Sequence, residues 1–350
     1  MAYSTIIKPN TQMNPLLYTG NTSNGHAITG LGFQPGFVWI KSRNQADFSH
    51  MLYDVVRTAV SGPFELRSNA TNAQSTDSSG LVSFDSDGFT LNSGGYVNTG
   101  TFVSWNWKAG GSPSSNTDGS ITSSVSANTT NGFSIVKYTG NGSAGATIGH
   151  GLGSTPSAIF VKGLSAISNW SSYHSVLGNT GYMRLDGTGA FATASTYWNN
   201  TSPTSSVFTA GTTGNINANG NDFVAYCFAE KKGFSKFGSY VGNGNADGTF
   251  IYTGFKPAYF VIKRTDATEN WYCTDIKRNP INPVDNELLL LNSDTATITT
   301  SYPVDFLSNG FKIRGNNNIT NASGATYIYM AFAENPLVAN TSGGIPTTAR

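Results

Sequence analysis

Short apolar runs alternate with clusters of Gly, Asn, Ser and Thr along the whole chain, and no run keeps the 3.6-residue period of an amphipathic helix. The runs instead follow the period of two that a strand imposes. In Phe223-Val224-Ala225-Tyr226-Cys227-Phe228-Ala229, the residues Val224, Tyr226 and Phe228 fall on one face and Phe223, Ala225, Cys227 and Ala229 on the other. A later run places Ile328, Met330 and Phe332 opposite Tyr327, Tyr329, Ala331 and Ala333. Large residues on one face and small ones on the other suit an inner strand between packed sheets. Tight Gly- and Asn-rich turns at fairly regular spacing then predict antiparallel sheets packed face to face.

The pattern is threefold. Tyr18-Thr19-Gly20-Asn21, Tyr138-Thr139-Gly140-Asn141-Gly142 and Tyr240-Val241-Gly242-Asn243-Gly244 open three copies. Each copy continues through a Gly-x-x-Pro turn, at Pro35, Pro156 and Pro257, into an apolar run that ends at Lys41, Lys162 or Lys263. Proline suits the start of a strand, where its missing N–H breaks no ladder, and the lysine is expected to mark the return to solvent. Asp54-Val55-Val56-Arg57 and Asp275-Ile276-Lys277-Arg278 follow in the first and third copies. The second departs there and carries Asn169-Trp170, matching Asn270-Trp271 of the third. Each copy closes on an aromatic run after an Asn-containing turn.

The expected fold class is therefore all-β, with three tandem antiparallel β-sandwich domains of jelly-roll or lectin-like type. An N-terminal arm covers 1–15, followed by repeat 1 at 16–110 and a Ser/Thr/Gly/Asn-rich linker at 111–131. Repeat 2 covers 132–232, repeat 3 covers 233–335, and a C-terminal arm covers 336–350. The long junction leaves copy one more freely placed, whereas copies two and three abut and should pack rigidly.

Composition sharpens this picture. At 350 residues the chain exceeds the usual size of a single core. Charged residues make up only 11% and net charge is +1, with no Lys/Arg cluster to follow a phosphate backbone, so nucleic-acid binding is disfavoured. No apolar stretch is long enough to span a bilayer, and the first residues lack the plan of a signal peptide, which implies synthesis in a cytoplasm without export by that route and no membrane insertion. Cys227 and Cys273 lie in different parts of the repeat and read as free thiols, with a single bridge between them the alternative.

Candidate chemistry is sparse. Gly140-Asn141-Gly142-Ser143-Ala144-Gly145 fits Gly-x-Gly-x-x-Gly but runs into a second glycine turn instead of a helix, so it reads as a turn. His26, His50, His150 and His174 fall at non-equivalent positions without metal-ligand spacing. Asp85-Ser86-Asp87-Gly88 begins like a calcium loop that the following residues do not continue. The Asp-x-x-Arg pairs suit structural ion pairs better than a saccharide cluster. Glu230 and Glu334 have Lys108 at the equivalent place, poor support for a shared pair of glycosidase carboxylates. Trp39, Trp105, Trp107, Trp170, Trp198 and Trp271 are sugar-stacking candidates, although their strand patterns favour core packing. The expectation is that catalytic, cofactor-binding and metal residues are all absent, and that the protein is not an enzyme.

With the Tyr-x-Gly-Asn-Gly signature, the Gly-x-x-Pro strand ending in lysine, Asn309-Gly310-Phe311-Lys312 and the closing Ala331-Phe332-Ala333-Glu334 in hand, the chain resembles a repeat domain of virion proteins of tailed marine bacteriophages. The resemblance covers most of residues 16–335 and brings no catalytic residues. It implies a non-enzymatic structural protein on the surface of the phage particle. A capsid decoration or cement role is the first expectation, in contact with the major capsid protein or tail proteins. The alternative is a tail-fibre or tail-associated protein that recognises host surface polysaccharide.

Overall fold

The computed structural model describes residues 4, 6–57, 64–282, 287–299 and 303–336. The fold is all-β, built from several antiparallel sheets, and the α-helices among the described residues are single turns at Gly95–Asn98, Ser195–Trp198 and Gly214–Asn217.

Each copy builds a larger sheet on one plan: opening strand, closing strand, proline strand, following strand. In the first copy these are Met13–Thr19, Thr101–Trp107, Phe37–Ser42 and Met51–Asp54. In the second they are Phe133–Thr139, Asp222–Phe228, Ala158–Gly163 and Ser171–His174. The third uses Ser235–Val241, Thr326–Pro336, Phe255–Arg264 and Trp271–Asp275. Register is equivalent throughout, since Phe37 faces Trp107, Ala158 faces Phe228 and Tyr259 faces Phe332. Pro35 and Pro156 precede their strands, while Pro257 sits inside its strand at an irregularity in the ladder, where a missing N–H is tolerated.

A smaller sheet covers one face of each larger one. It comprises His26–Thr29, Gly88–Leu91 and Leu81–Asp85 in the first copy, and Ala146–Gly149 with Val207–Ala210 in the second. In the third it comprises Phe250–Tyr252, Gly310–Ile313 and Val304–Leu307. Between the two layers lies a private core for each copy, holding Phe89 in the first, Cys227 in the second and Phe311 in the third.

The other face of each larger sheet is equally dry. Trp105 and Trp107, Tyr226 and Phe228, and Met330 and Phe332 point into one cluster shared by all three copies. At its centre the equivalent residues Trp107, Phe228 and Phe332 form a triangle with ring centroids 6.1, 5.8 and 5.5 Å apart. Such near-equal spacing is that of a pseudo-threefold axis. A void of about 20 Å³ beside these side chains, lined by Phe37, Trp107, Tyr226, Phe228 and Met330 among others, has room for one water at most. The two faces read from the closing strands are thus correct, and both are buried, one against the copy's own outer sheet and the other at the shared centre; size does not separate them, since Phe223, Tyr327 and Tyr329 lie on the outer-sheet side.

Three expectations need correction. The stretch 111–131 is not a structureless linker: Ser114–Asn116 and Ser123–Asn128 extend the second copy's larger sheet at its opening-strand edge. Copy one is not loosely placed, because its tryptophans help fill the shared centre. Nor do residues 6–15 form an arm, since Ile6 and Met13 are 4% and 0% exposed in that same cluster and Met13–Thr19 is the opening strand. Of the expected arm 336–350, all but Pro336 lies outside the described residues.

Candidate functional site

The residues singled out for chemistry are taken up by three sets of bonds repeated around the axis. The first closes each Tyr-x-Gly-Asn turn. Tyr18, Tyr138 and Tyr240 donate their hydroxyls to the carbonyls of Val97, Ile216 and Thr320 at 2.8, 2.7 and 2.7 Å. Buried Asn98, Asn217 and Asn321 accept from the backbone N–H of Asn21, Asn141 and Asn243 at 3.0, 3.0 and 2.9 Å and donate to two further carbonyls each. A Cβ on Gly140 would run into the Asn217–Ala218 backbone, and Gly142 has φ of 71°. The Gly-x-Gly-x-x-Gly match is therefore a tied-down turn.

The second set joins the copies. Lys41, Lys162 and Lys263 are 0% exposed, which overturns the expectation that they mark the return to solvent. Each Nζ donates to a carbonyl of the neighbouring copy: Lys41 to Asp294, Lys162 to Thr71 and Lys263 to Thr188, at 3.0, 2.8 and 3.1 Å. Burial lowers all three ammonium groups to a pKa of about 8. Two residues past each lysine, the carbonyls of Arg43, Leu164 and Thr265 accept from the N–H of Thr297, Gln74 and Phe191. Opposite each lysine, His50 Nε2, Trp170 Nε1 and Trp271 Nε1 lie 3.0, 2.8 and 2.8 Å from the carbonyls of Leu290, Arg67 and Arg184. Copy three thus clasps copy one, copy one clasps copy two, and copy two clasps copy three. The ring is closed.

The third set is the Asp-x-x-Arg element. Asp54 with Arg57, and Asp275 with Arg278, are fully buried ion pairs at 2.5 and 2.6 Å. Each reaches the closing strand of the next copy: Tyr226 donates its hydroxyl to Asp54 at 2.7 Å, and Trp105 donates its indole N–H to Asp275 at 3.0 Å. At the third interface the position equivalent to Tyr226 and Trp105 is Met330, which has no donor. An aspartate there would be buried without that bond, and the second copy carries His174 instead, with Nε2 3.2 Å from the Tyr329 carbonyl.

The remaining candidates are spread out. His26 Nδ1 meets Asn98 at 2.7 Å, and His150 meets Thr204 and Leu152. Asp87 accepts from the N–H of Gly30 and Gly32, and Asp85 accepts from Ser83 and Thr90, so this acidic pair braces a hairpin. Glu230 pairs with Lys236 and Glu334 with Lys256, and the register that aligns Trp107, Phe228 and Phe332 puts Ala109, not Lys108, at their place in copy one. No tryptophan exceeds 8% exposure, so none offers a sugar-stacking face. Cys227 and Cys273 are free, buried thiols whose ionisation burial pushes up. Among the described residues no group of three or more His, Cys, Asp or Glu is placed to hold a metal, and no helix is long and apolar enough to cross a membrane.

An open groove of about 950 Å³ lies where copy one meets the added strands of copy two, lined by Gln12, Gln34, Lys108, Pro113, Asn128 and Thr130 among others. Its lining includes one ammonium group and many amides and hydroxyls, but no carboxylate, imidazole or thiol. Such a lining can hold a polar extended chain, and it supplies no acid–base pair.

Fold and site together define a closed ring of three β repeats whose polar chemistry is spent on internal ties. The chain belongs to the family described as a domain of unknown function, DUF7483, which it matches over residues 8–336, through all three copies. No curated protein and no solved structure matches it.

Proposed function

We propose that this chain is a non-enzymatic structural protein on the surface of a bacteriophage particle, and that it acts as a decoration or cement subunit seated over a local three-fold position of the shell. The observation that carries this reading is the closed ring: three equivalent lysine ties and three equivalent backbone ties relate the copies as subunits of a cyclic trimer are related. One chain can then present related surfaces in three orientations to three shell subunits. The resemblance to virion repeat domains supports the same reading, as does the sparsely charged exterior, which costs little to desolvate against neighbours. Each repeat is read as a lectin-like sandwich with its smaller sheet outward, and the partners are the major capsid protein or tail proteins.

The test is to image intact particles with and without the chain. Density of matching size over local three-fold positions is expected, lost when the chain is absent. Density confined to the tail tip would overturn the decoration role and favour a tail-associated receptor-binding protein. Removing residues 1–15 is not a clean test of attachment, because the cut takes Ile6 and Met13 out of the shared core.

A further inference from the structure

The three copies serve as controls for one another, and the outward face of the smaller sheet is where the third diverges. Ile28, Ile148 and Ile251 occupy one inward position, pairing with Phe89, Phe208 and Phe311. On either side of that isoleucine the first copy has Ala27 and Thr29, and the second has Thr147 and Gly149. The third has Phe250 and Tyr252, 44% and 55% exposed. Since two copies build the same sheet with small residues there, the fold does not require the aromatics.

Their surroundings state what they suit. Residues two apart on a strand point the same way, about 7 Å apart, so the rings form a short row. Gly310 lies opposite Tyr252 and Lys312 opposite Phe250. Gly310 has no side chain, and the Phe250 ring leans over it, with Cε2 3.2 Å from where a Cβ would stand. Beside it, Lys312 and Arg314 reach Asp247 at 2.6 and 3.2 Å, and Arg314 also reaches Asp305 at 2.5 Å. This rim carries two cations and two carboxylates, so it offers donors and acceptors without net charge. A phosphate-rich or polyanionic ligand finds no excess of positive charge, and a lipid surface would have to desolvate the rim. The face of a neutral sugar ring matches both parts: C–H groups lie on an aromatic ring while hydroxyls exchange bonds with ammonium, guanidinium and carboxylate.

We propose that Phe250 and Tyr252, with Asp247, Lys312 and Arg314 at their edge, form a binding platform for a neutral hexose polysaccharide. The platform belongs to copy three alone, so one chain engages one glycan segment, and it is independent of where on a particle the chain sits.

The test titrates the full chain calorimetrically with neutral hexaoses of α-1,4-glucan, β-1,3-glucan and β-1,4-mannan, with a hexauronate and phosphatidylcholine vesicles alongside. Phe250→Ala and Tyr252→Thr place the residues of copy one at these positions and should leave the unfolding midpoint unchanged. Saturable binding of at least one neutral hexaose is expected, with one site per chain and affinity reduced about tenfold or more in each variant. No binding to any neutral hexaose at millimolar concentration, or binding that both variants retain in full, would overturn the proposal. Binding of the hexauronate or the vesicles alone would overturn it too, assigning the patch to an acidic glycan or a lipid surface respectively.

Discussion

Thr22 occupies the turn position where the other copies have Gly142 and Gly244, and all three adopt positive φ, at 61°, 71° and 64°. A β-branched residue is strained there, whereas glycine is not. Thr22→Gly should therefore stabilise the protein by about 1 kcal/mol, seen as a raised midpoint in denaturant unfolding; a lowered midpoint would contradict the strain. The signature was legible as a repeat mark, and its role as a tie was not, because Asn98, Asn217 and Asn321 lie more than seventy residues downstream of the turns they hold. His174 shows the same limit from the side of charge. Burial lowers its pKa to about 4, since a second ring proton would be desolvated while Nδ1 accepts from the Val176 N–H. The unfolded chain binds that proton near the usual 6.5, so stability present above pH 6.5 is lost as pH falls toward 4, by about 3 kcal/mol from this residue. Stability measured from pH 7 to 4 should fall less steeply in His174→Gln than in the parent. Identical slopes would show that His174 is not held neutral.

The closing strands were read well from sequence because alternation is local: both faces of 223–229 and 327–333 came out as found. The proline strands were read well up to their last residue. A terminal lysine ordinarily meets water, and what buries Lys41, Lys162 and Lys263 is a carbonyl from another copy, which no local pattern reveals. The Asp-x-x-Arg element was legible as an ion pair, yet its link to the next copy's closing strand was not. That link makes a prediction. Tyr226→Phe removes the hydroxyl donor to the buried Asp54 carboxylate and should cost about 1–3 kcal/mol in unfolding free energy. In an Asp54→Asn background the same change should cost less, because the charge that required the donor is gone. Equal costs in both backgrounds would show that the tie across copies contributes nothing.

At the scale of the molecule, length and a Ser/Thr/Gly/Asn-rich junction argued for separate domains, and composition alone cannot distinguish a spacer from the two strands that 111–131 contributes to a sheet. The shared centre was hidden for a related reason: one face of an inner strand looks the same whether it packs on its own sandwich or on two neighbours. Truncating Phe228 or Phe332 to Ala should cost about 3–5 kcal/mol, as for other buried aromatics, and should weaken all three copies at once. The central claim, that three repeats form one closed ring around a common core, is tested most directly by differential scanning calorimetry of the full chain. A single transition is expected, with calorimetric and van't Hoff enthalpies in agreement, shifted as a whole by Phe228→Ala. Separate transitions, with copy one melting independently and untouched by Phe228→Ala, would contradict it.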